Sequence, residues 1–208
     1  MRLVLASQSP RRSELLGQMG LPFERYVADI DESRHSGEPA PDYVLRLAAE
    51  KAAAGYAAVS GPLSSAAVAS PVAVLGADTI VVCDDEILGK PRGPKEGMAM
   101  LQRLAGRTHQ VLTGVAVQTE LHSRTVLSRS NVTFRDISPA EVRQYWDTGE
   151  GADKAGSYGI QGFGGIFVTH LDGSFSGVMG LPVMETEALL RALNIDTWKL
   201  RGSSVSNG

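Results

Sequence analysis

One cysteine, Cys83, is all that the 208 residues contain. That excludes a disulfide framework and a cysteine-based zinc site, and it fits a reducing, cytoplasmic setting. Long apolar runs are missing too. None approaches the roughly 20 residues that cross a bilayer, and the strand-like start at Arg2–Ala6 is shorter than the apolar core of a signal peptide. No membrane partner is expected. The chain also lacks an excess of either charge: 21% of residues are charged and the formal net charge is −3. No global basic field recruits nucleic acid, and a basic, aromatic-studded surface is absent. Neither the GxxxxGK[ST] pattern nor a strand–GxGxxG–helix context occurs. There is no internal repeat and no domain linker. This length suits one domain of two lobes over residues 1–201, with 202–208 a disordered tail.

The stretch Val72–Arg92, VAVLGADTIVVCDDEILGKPR, organises the rest. Val72–Leu75 and Ile80–Val82 read as short apolar strand segments buried on both faces. Gly76-Ala77-Asp78-Thr79 interrupts them and sets one carboxylate among hydrocarbon. An unpaired buried carboxylate costs several kcal/mol, so Asp78 needs a cation, a metal or a wet cleft. An ordinary strand whose aspartate bonds backbone amides at a bulge fits the local pattern equally well. Asp84-Asp85 reads as a hairpin turn, and Glu86–Leu88 as a returning strand that carries Lys90 back towards Asp78.

Upstream, Ser7-Gln8-Ser9-Pro10-Arg11-Arg12 opens a helix, with Ser9 as N-cap and Pro10 at the first helical position. Two arginines and no acid at an already positive helix end call for an anion. Ser7, Ser9, free amides and Arg11/Arg12 make a phosphate site, although two solvated arginines fit the same pattern. Phe23–Ala28 reads as a strand, and the following Asp29-Ile30-Asp31-Glu32 as a solvated acidic loop. In the helix from Asp42 to Val59, Val44, Leu47, Ala48 and Lys51 fall on one stripe. Lys51 either snorkels from the core edge or points into a cleft towards negative charge.

Ser60–Pro71 reads as a flexible loop, Pro94–Ala105 as a helix, and His109–Val117 and Thr125–Arg135 as long strands, with His109 a polar strand-end residue. Ser138-Pro139-Ala140-Glu141 is a capping box for a helix to Asp147. Gly149–Gly165 holds seven glycines, so its backbone can approach a ligand while Lys154 and Gln161 offer polar contacts. Ile166–His170 and Phe175–Met179 read as a hairpin around Asp172-Gly173, and Pro182–Leu193 as a closing helix. Taken together, the basic groups could clamp a polyphosphate while the acids hold a divalent cation and activate water.

The segments SQSPRRSELL, Ile30-Asp31-Glu32, RLAAEKA, GADTIV, LGKPR, RTHQVLTGVAV, DKAGSYGIQG and GLPVMET, in this order, resemble the Maf proteins, nucleoside triphosphate pyrophosphatases also described as septum-formation inhibitors. The resemblance runs from about Leu3 to Leu190. It implies an α/β fold with a long mixed sheet, flanking helices and two lobes around a cleft, as in inosine triphosphatase-like proteins. It implies hydrolysis between the α and β phosphates, Mg2+ or Mn2+ as cofactor, and a homodimer. Asp78 corresponds to the family's catalytic carboxylate, Ser7, Arg12, Lys51 and Lys90 to its phosphate contacts, and Glu32 to an acid implicated in metal binding or catalysis. Arg11, Thr79 and Gln161 correspond to the type acting on dTTP and UTP, which also suggests removal of non-standard pyrimidine nucleotides. The 7-methyl-GTP type carries an aromatic, Gln and Glu at those positions. A nucleotide-binding regulator of cell division with little hydrolysis is the alternative that the family's second name implies.

Overall fold

The computed structural model describes residues 1–60 and 71–203. Among these, seven strands form one mixed sheet: β1 (Arg2–Ala6), β2 (Glu24–Tyr26), β3 (Val72–Cys83), β4 (Glu86–Leu88), β5 (Thr108–Gln118), β6 (Ser123–Phe134) and β7 (Val168–Asp172). The order is β2-β1-β3-β5-β6-β7, with β4 also on β3. β1 pairs in parallel with β2 and β3, whereas β4 on β3 and β7 on β6 are antiparallel. The helices are α1 (Pro10–Gln18), α2 (Ala40–Ser60), α3 (Pro94–Leu104), α4 (Pro139–Asp147), α5 (Phe175–Met179), α6 (Val183–Ala192) and α7 (Thr197–Ser203). This is the expected α/β architecture. No helix among the described residues is long and apolar enough to cross a membrane.

The chain divides into two compact units. The first comprises Met1–Asp78, Gly114–Leu127 and Gly180–Gly208. Val4, Ala6 and Val74 bury one side of its strands against Tyr26, Tyr56 and Val59. Ala48, Ala52 and Ala116 form a second contact made only of small side chains. Small residues let α2 approach the strands at backbone distance. A Cβ on Gly76 would lie 2.3 Å from the Ala48 carbonyl oxygen and 2.6 Å from the Ala52 nitrogen, and one on Gly114 would lie 2.5 Å from the Val44 oxygen.

The second unit comprises Thr79–Thr113 and Ser128–Met179. Its core joins Leu101, Leu104, Val111 and Val132 to Phe134, Tyr145, Tyr158 and Phe167. Phe134 meets Tyr158 edge-on at 4.8 Å between ring centroids, and Tyr145 meets Phe167 likewise at 5.2 Å.

Three elements differ from the sequence reading. Val72–Cys83 is one continuous strand, because Gly76–Thr79 stay extended and Ala77 is fully buried. Its first five residues pair with β1 and Val81–Cys83 pair with β4, so Ala77–Ile80 fall between the two registers. Phe175–Met179 is a helix, not a strand. The Ser174 hydroxyl accepts the Gly177 N–H at 3.0 Å and the Ser174 carbonyl accepts that of Val178, which starts a helical turn. The hairpin partner of β7 is therefore β6. Finally, α7 runs to Ser203, past Gly202 where the tail was expected to begin. Residues 61–70 of the Ser60–Pro71 loop and 204–208 of the tail lie outside the described residues.

Candidate active site

In the first unit, β1 delivers Ser7 and the start of α1 to one place. Ser9 occupies the N-cap position, but its side chain makes no capping bond, and the first turn holds no acid. The hydroxyl of buried Ser7 instead accepts the Ser9 N–H at 3.2 Å and an Arg12 Nη1–H at 3.3 Å. With both lone pairs engaged, the hydroxyl keeps its own hydrogen as a donor. Arg12 also donates through Nε to the Gly180 carbonyl at 2.9 Å, which fixes the guanidinium plane. Burial pushes the Arg12 pKa down, Asp78 and Glu32 oppose the shift, and neighbouring Arg11 adds to it. Arginine remains charged throughout. Arg11 itself is half-buried beside it.

The glycine contact described above explains where Lys51 ends. Val74, Gly76 and Asp78 alternate onto one face of β3. Gly55 of α2 approaches Val74, Ala48 and Ala52 cover Gly76, and Lys51 then meets Asp78. Lys51 is 8% exposed, and its ammonium lies 2.7 Å from Asp78 Oδ1 and 2.7 Å from Glu32 Oε1. Lys51 therefore points to negative charge and does not snorkel. Asp29, Asp31 and Glu32 are all exposed, and of the three it is Glu32 whose carboxylate reaches Lys51.

Two side chains of α2 that the sequence reading did not single out hold that loop. The Tyr43 hydroxyl donates to the Glu32 backbone carbonyl at 2.7 Å, and burial and the charges of Asp78 and Glu32 push its pKa up. Arg46 grips both Glu38 carboxylate oxygens, at 2.7 and 2.9 Å, and donates to the Ser33 carbonyl at 2.9 Å. This fork holds the Glu38 carboxyl down at about 2. Tyr43 and Arg46 lie three residues apart on the same helix, and that spacing was the available signal.

The remaining expected residues belong to the second unit. The half-buried Thr79 shares a 3.0 Å hydroxyl contact with Thr113, whose hydrogen goes to the Gly177 carbonyl at 2.8 Å. Thr79 must therefore be the donor to Thr113. Lys90 lies just past β4, exposed on the wall of a cavity of about 400 Å3 with Arg92, Arg103, Leu88 and Met100. Gln161 is exposed within the glycine-rich segment. Lys154 is turned inward on its own loop, donating to the Glu150 carbonyl and the Asp153 carboxylate. His109 is 2% exposed, bonded through Nε2 to the Tyr158 hydroxyl at 2.9 Å, and burial alone pushes its pKa down to about 4. It is a core residue.

The structure thus brings Ser7 to Arg12, and Lys51 to Glu32 and Asp78, whereas Thr79, Lys90 and Gln161 are ordered within the other unit. The family model described as Maf-like protein matches residues 2–193. A Pseudoalteromonas atlantica protein named dTTP/UTP pyrophosphatase is 48% identical over 193 residues, which is 93% of this chain and 97% of that protein. Proteins of the same name from Saccharophagus degradans and Methylococcus capsulatus are 50% and 49% identical, covering 95% and 96% of this chain and 91% and 95% of theirs. By the extent of these matches, the chain belongs to the Maf-like family.

Proposed function

We infer that the chain hydrolyses dTTP and UTP between the α and β phosphates, releasing the nucleoside monophosphate and pyrophosphate. The observation that carries this is Lys51, buried and bonded at 2.7 Å to both Asp78 and Glu32. Lys51, Arg12 and the Ser7 hydroxyl would supply cations and a donor to a phosphate-sized anion. Asp78 is the carboxylate set to take a proton from the attacking water. Water adds to the α phosphorus, its proton passes to Asp78, and the bond to the bridging oxygen breaks, with pyrophosphate leaving. Rate comes from positioning and charge neutralisation.

A divalent cation, Mg2+ or Mn2+, fits the donor set. Two carboxylates converging on one nitrogen offer hard oxygen ligands. No group of three or more His, Cys, Asp or Glu side chains gathers anywhere among the described residues. Glu32 and Asp78 would hold the ion together with substrate and water oxygens, and the ion would supply charge neutralisation and water activation. With the ion bound, the Lys51 ammonium would be free to serve the phosphates, and Lys90 is assigned as a further phosphate contact. The Gln161 amide, offering both donor and acceptor, suits the O4/N3 edge of uracil or thymine, with Arg11 and Thr79 as further selectivity residues. The working assembly is a homodimer, which sedimentation at enzyme concentration checks.

The test compares kcat/KM for dTTP, UTP, CTP and 7-methyl-GTP in wild type and Gln161→Glu. Wild type should prefer dTTP and UTP, and Gln161→Glu should erode that preference about 5- to 150-fold, the scale of one mismatched buried polar group. A wild type that favours 7-methyl-GTP contradicts the base assignment.

A further inference from the structure

In the second unit a closed set of hydrogen bonds brackets Gln161. The Tyr145 hydroxyl accepts the Gly159 N–H at 3.1 Å and donates to Glu150 Oε1 at 2.8 Å. The same Glu150 oxygen accepts the Gly164 N–H at 2.9 Å, and the other, Oε2, accepts the Phe163 N–H at 2.8 Å. Gly162 lets the carboxylate in: a Cβ there would lie 2.0 Å from Oε2. Gln161 is thus tied down two residues before and two residues after, while its own side chain stays exposed. Burial raises the Glu150 pKa, but the amide and hydroxyl bonds outweigh burial, and the net shift is downwards. A half-buried carboxylate bonded to backbone amides more than ten residues away is a specialised element of an otherwise glycine-rich loop.

We propose that Glu150, braced by Tyr145, is a positioning residue for base selection: its carboxylate fixes the backbone on both sides of Gln161 and so aims the Gln161 amide at the imide edge of uracil or thymine. This rests on the base reading given above for Gln161. An amide at position 150 keeps the shape but cannot accept both amide N–H groups, because one of its two ends is a donor. The backbone then shifts at Gly162–Gly164 and Gln161 loses its register with the base.

The experiment measures kcat/KM for dTTP and CTP in wild type, Glu150→Gln, Tyr145→Phe and Gln161→Ala. The dTTP-to-CTP ratio is expected to fall at least about tenfold in Glu150→Gln, towards that of Gln161→Ala, with a smaller fall in Tyr145→Phe. Loss of folded enzyme would scale both substrates equally and leave the ratio untouched. An unchanged ratio in Glu150→Gln, with a selective wild type, overturns the positioning role and leaves the base reading standing. A wild-type ratio near one overturns the base reading, and this inference with it. Should Glu150→Gln fail to fold, Tyr145→Phe carries the test alone: an unchanged ratio there refutes the clasp.

Discussion

Replacing Gly76 with alanine should damage catalysis without touching a reacting group. The new Cβ would lie 2.3 Å from the Ala48 carbonyl oxygen and 2.6 Å from the Ala52 nitrogen. Both are backbone atoms within a helix, so neither can swing aside. Ordinary contact begins near 3.4 Å, and restoring it requires α2 to retreat by about 1 Å. Forcing a methyl into such a contact costs about 1–3 kcal/mol of stability. The larger effect is on geometry. Lys51 is on α2 and Asp78 is two residues along β3 from Gly76, on the same face, so the retreat opens their 2.7 Å contact. A misplacement of this size at a catalytic site costs on the order of 100-fold. Urea unfolding and kcat/KM with dTTP read the two effects separately. Gly76→Ala with wild-type stability and wild-type turnover would refute the claim that this glycine sets the helix at backbone distance.

Lys51→Met leaves Glu32 and Asp78 facing each other without the ammonium between them. Mn2+ binding to the nucleotide-free protein, read by calorimetry, should tighten at least about tenfold, while kcat/KM for dTTP falls about ten- to a hundredfold. Unchanged Mn2+ affinity would mean that Lys51 does not compete for the carboxylates. His109 gives a pH signature. Its folded pKa of about 4 lies below the ordinary histidine value, so the unfolded chain binds the proton first. Stability should therefore fall as the pH drops from about 6.5 towards 4, by up to about 3 kcal/mol, and His109→Phe should flatten that slope. Urea unfolding at pH 7 and pH 5 in both proteins checks this, and equal slopes would refute it. Asp84 and Asp85 both hold left-handed backbone, at φ 50° and 61°. Since the second position of such a turn favours glycine, Asp85→Gly should leave activity intact and raise stability by a few tenths of a kcal/mol; a fall of 1 kcal/mol would contradict this.

What was legible in the sequence was whatever depends on near neighbours. The Ser138–Glu141 capping box forms with both reciprocal bonds, and Val44, Leu47, Ala48 and Lys51 are all buried along one stripe of α2. Lys51 could be singled out because a charge stood where the period demanded an apolar residue. What stayed hidden depends on partners distant in the chain. Nothing near Glu150 indicates that its carboxylate receives amides 13 and 14 residues on. Gly76 signals only a break in an apolar run, and the backbone of α2 supplies the reason. The five residues of α5 are too few to show a helical period, and their apolar content reads as strand until the Ser174 hydroxyl is seen to cap them. The acidic loop is solvent-exposed as its composition suggests, but its anchoring is hidden, because Tyr43 and Arg46, which hold it, lie on the next helix.

The most direct measurement is of products and rate together, with dTTP and Mg2+, for wild type and Asp78→Asn. Wild type should yield dTMP and pyrophosphate in equal amounts, with oxygen from labelled water in the dTMP. Asp78→Asn should bind dTTP yet turn over at least ~100-fold more slowly, the scale of losing an acid–base group. Formation of dTDP and orthophosphate, or near-normal turnover by Asp78→Asn, would contradict hydrolysis at the α phosphorus with Asp78 as its carboxylate.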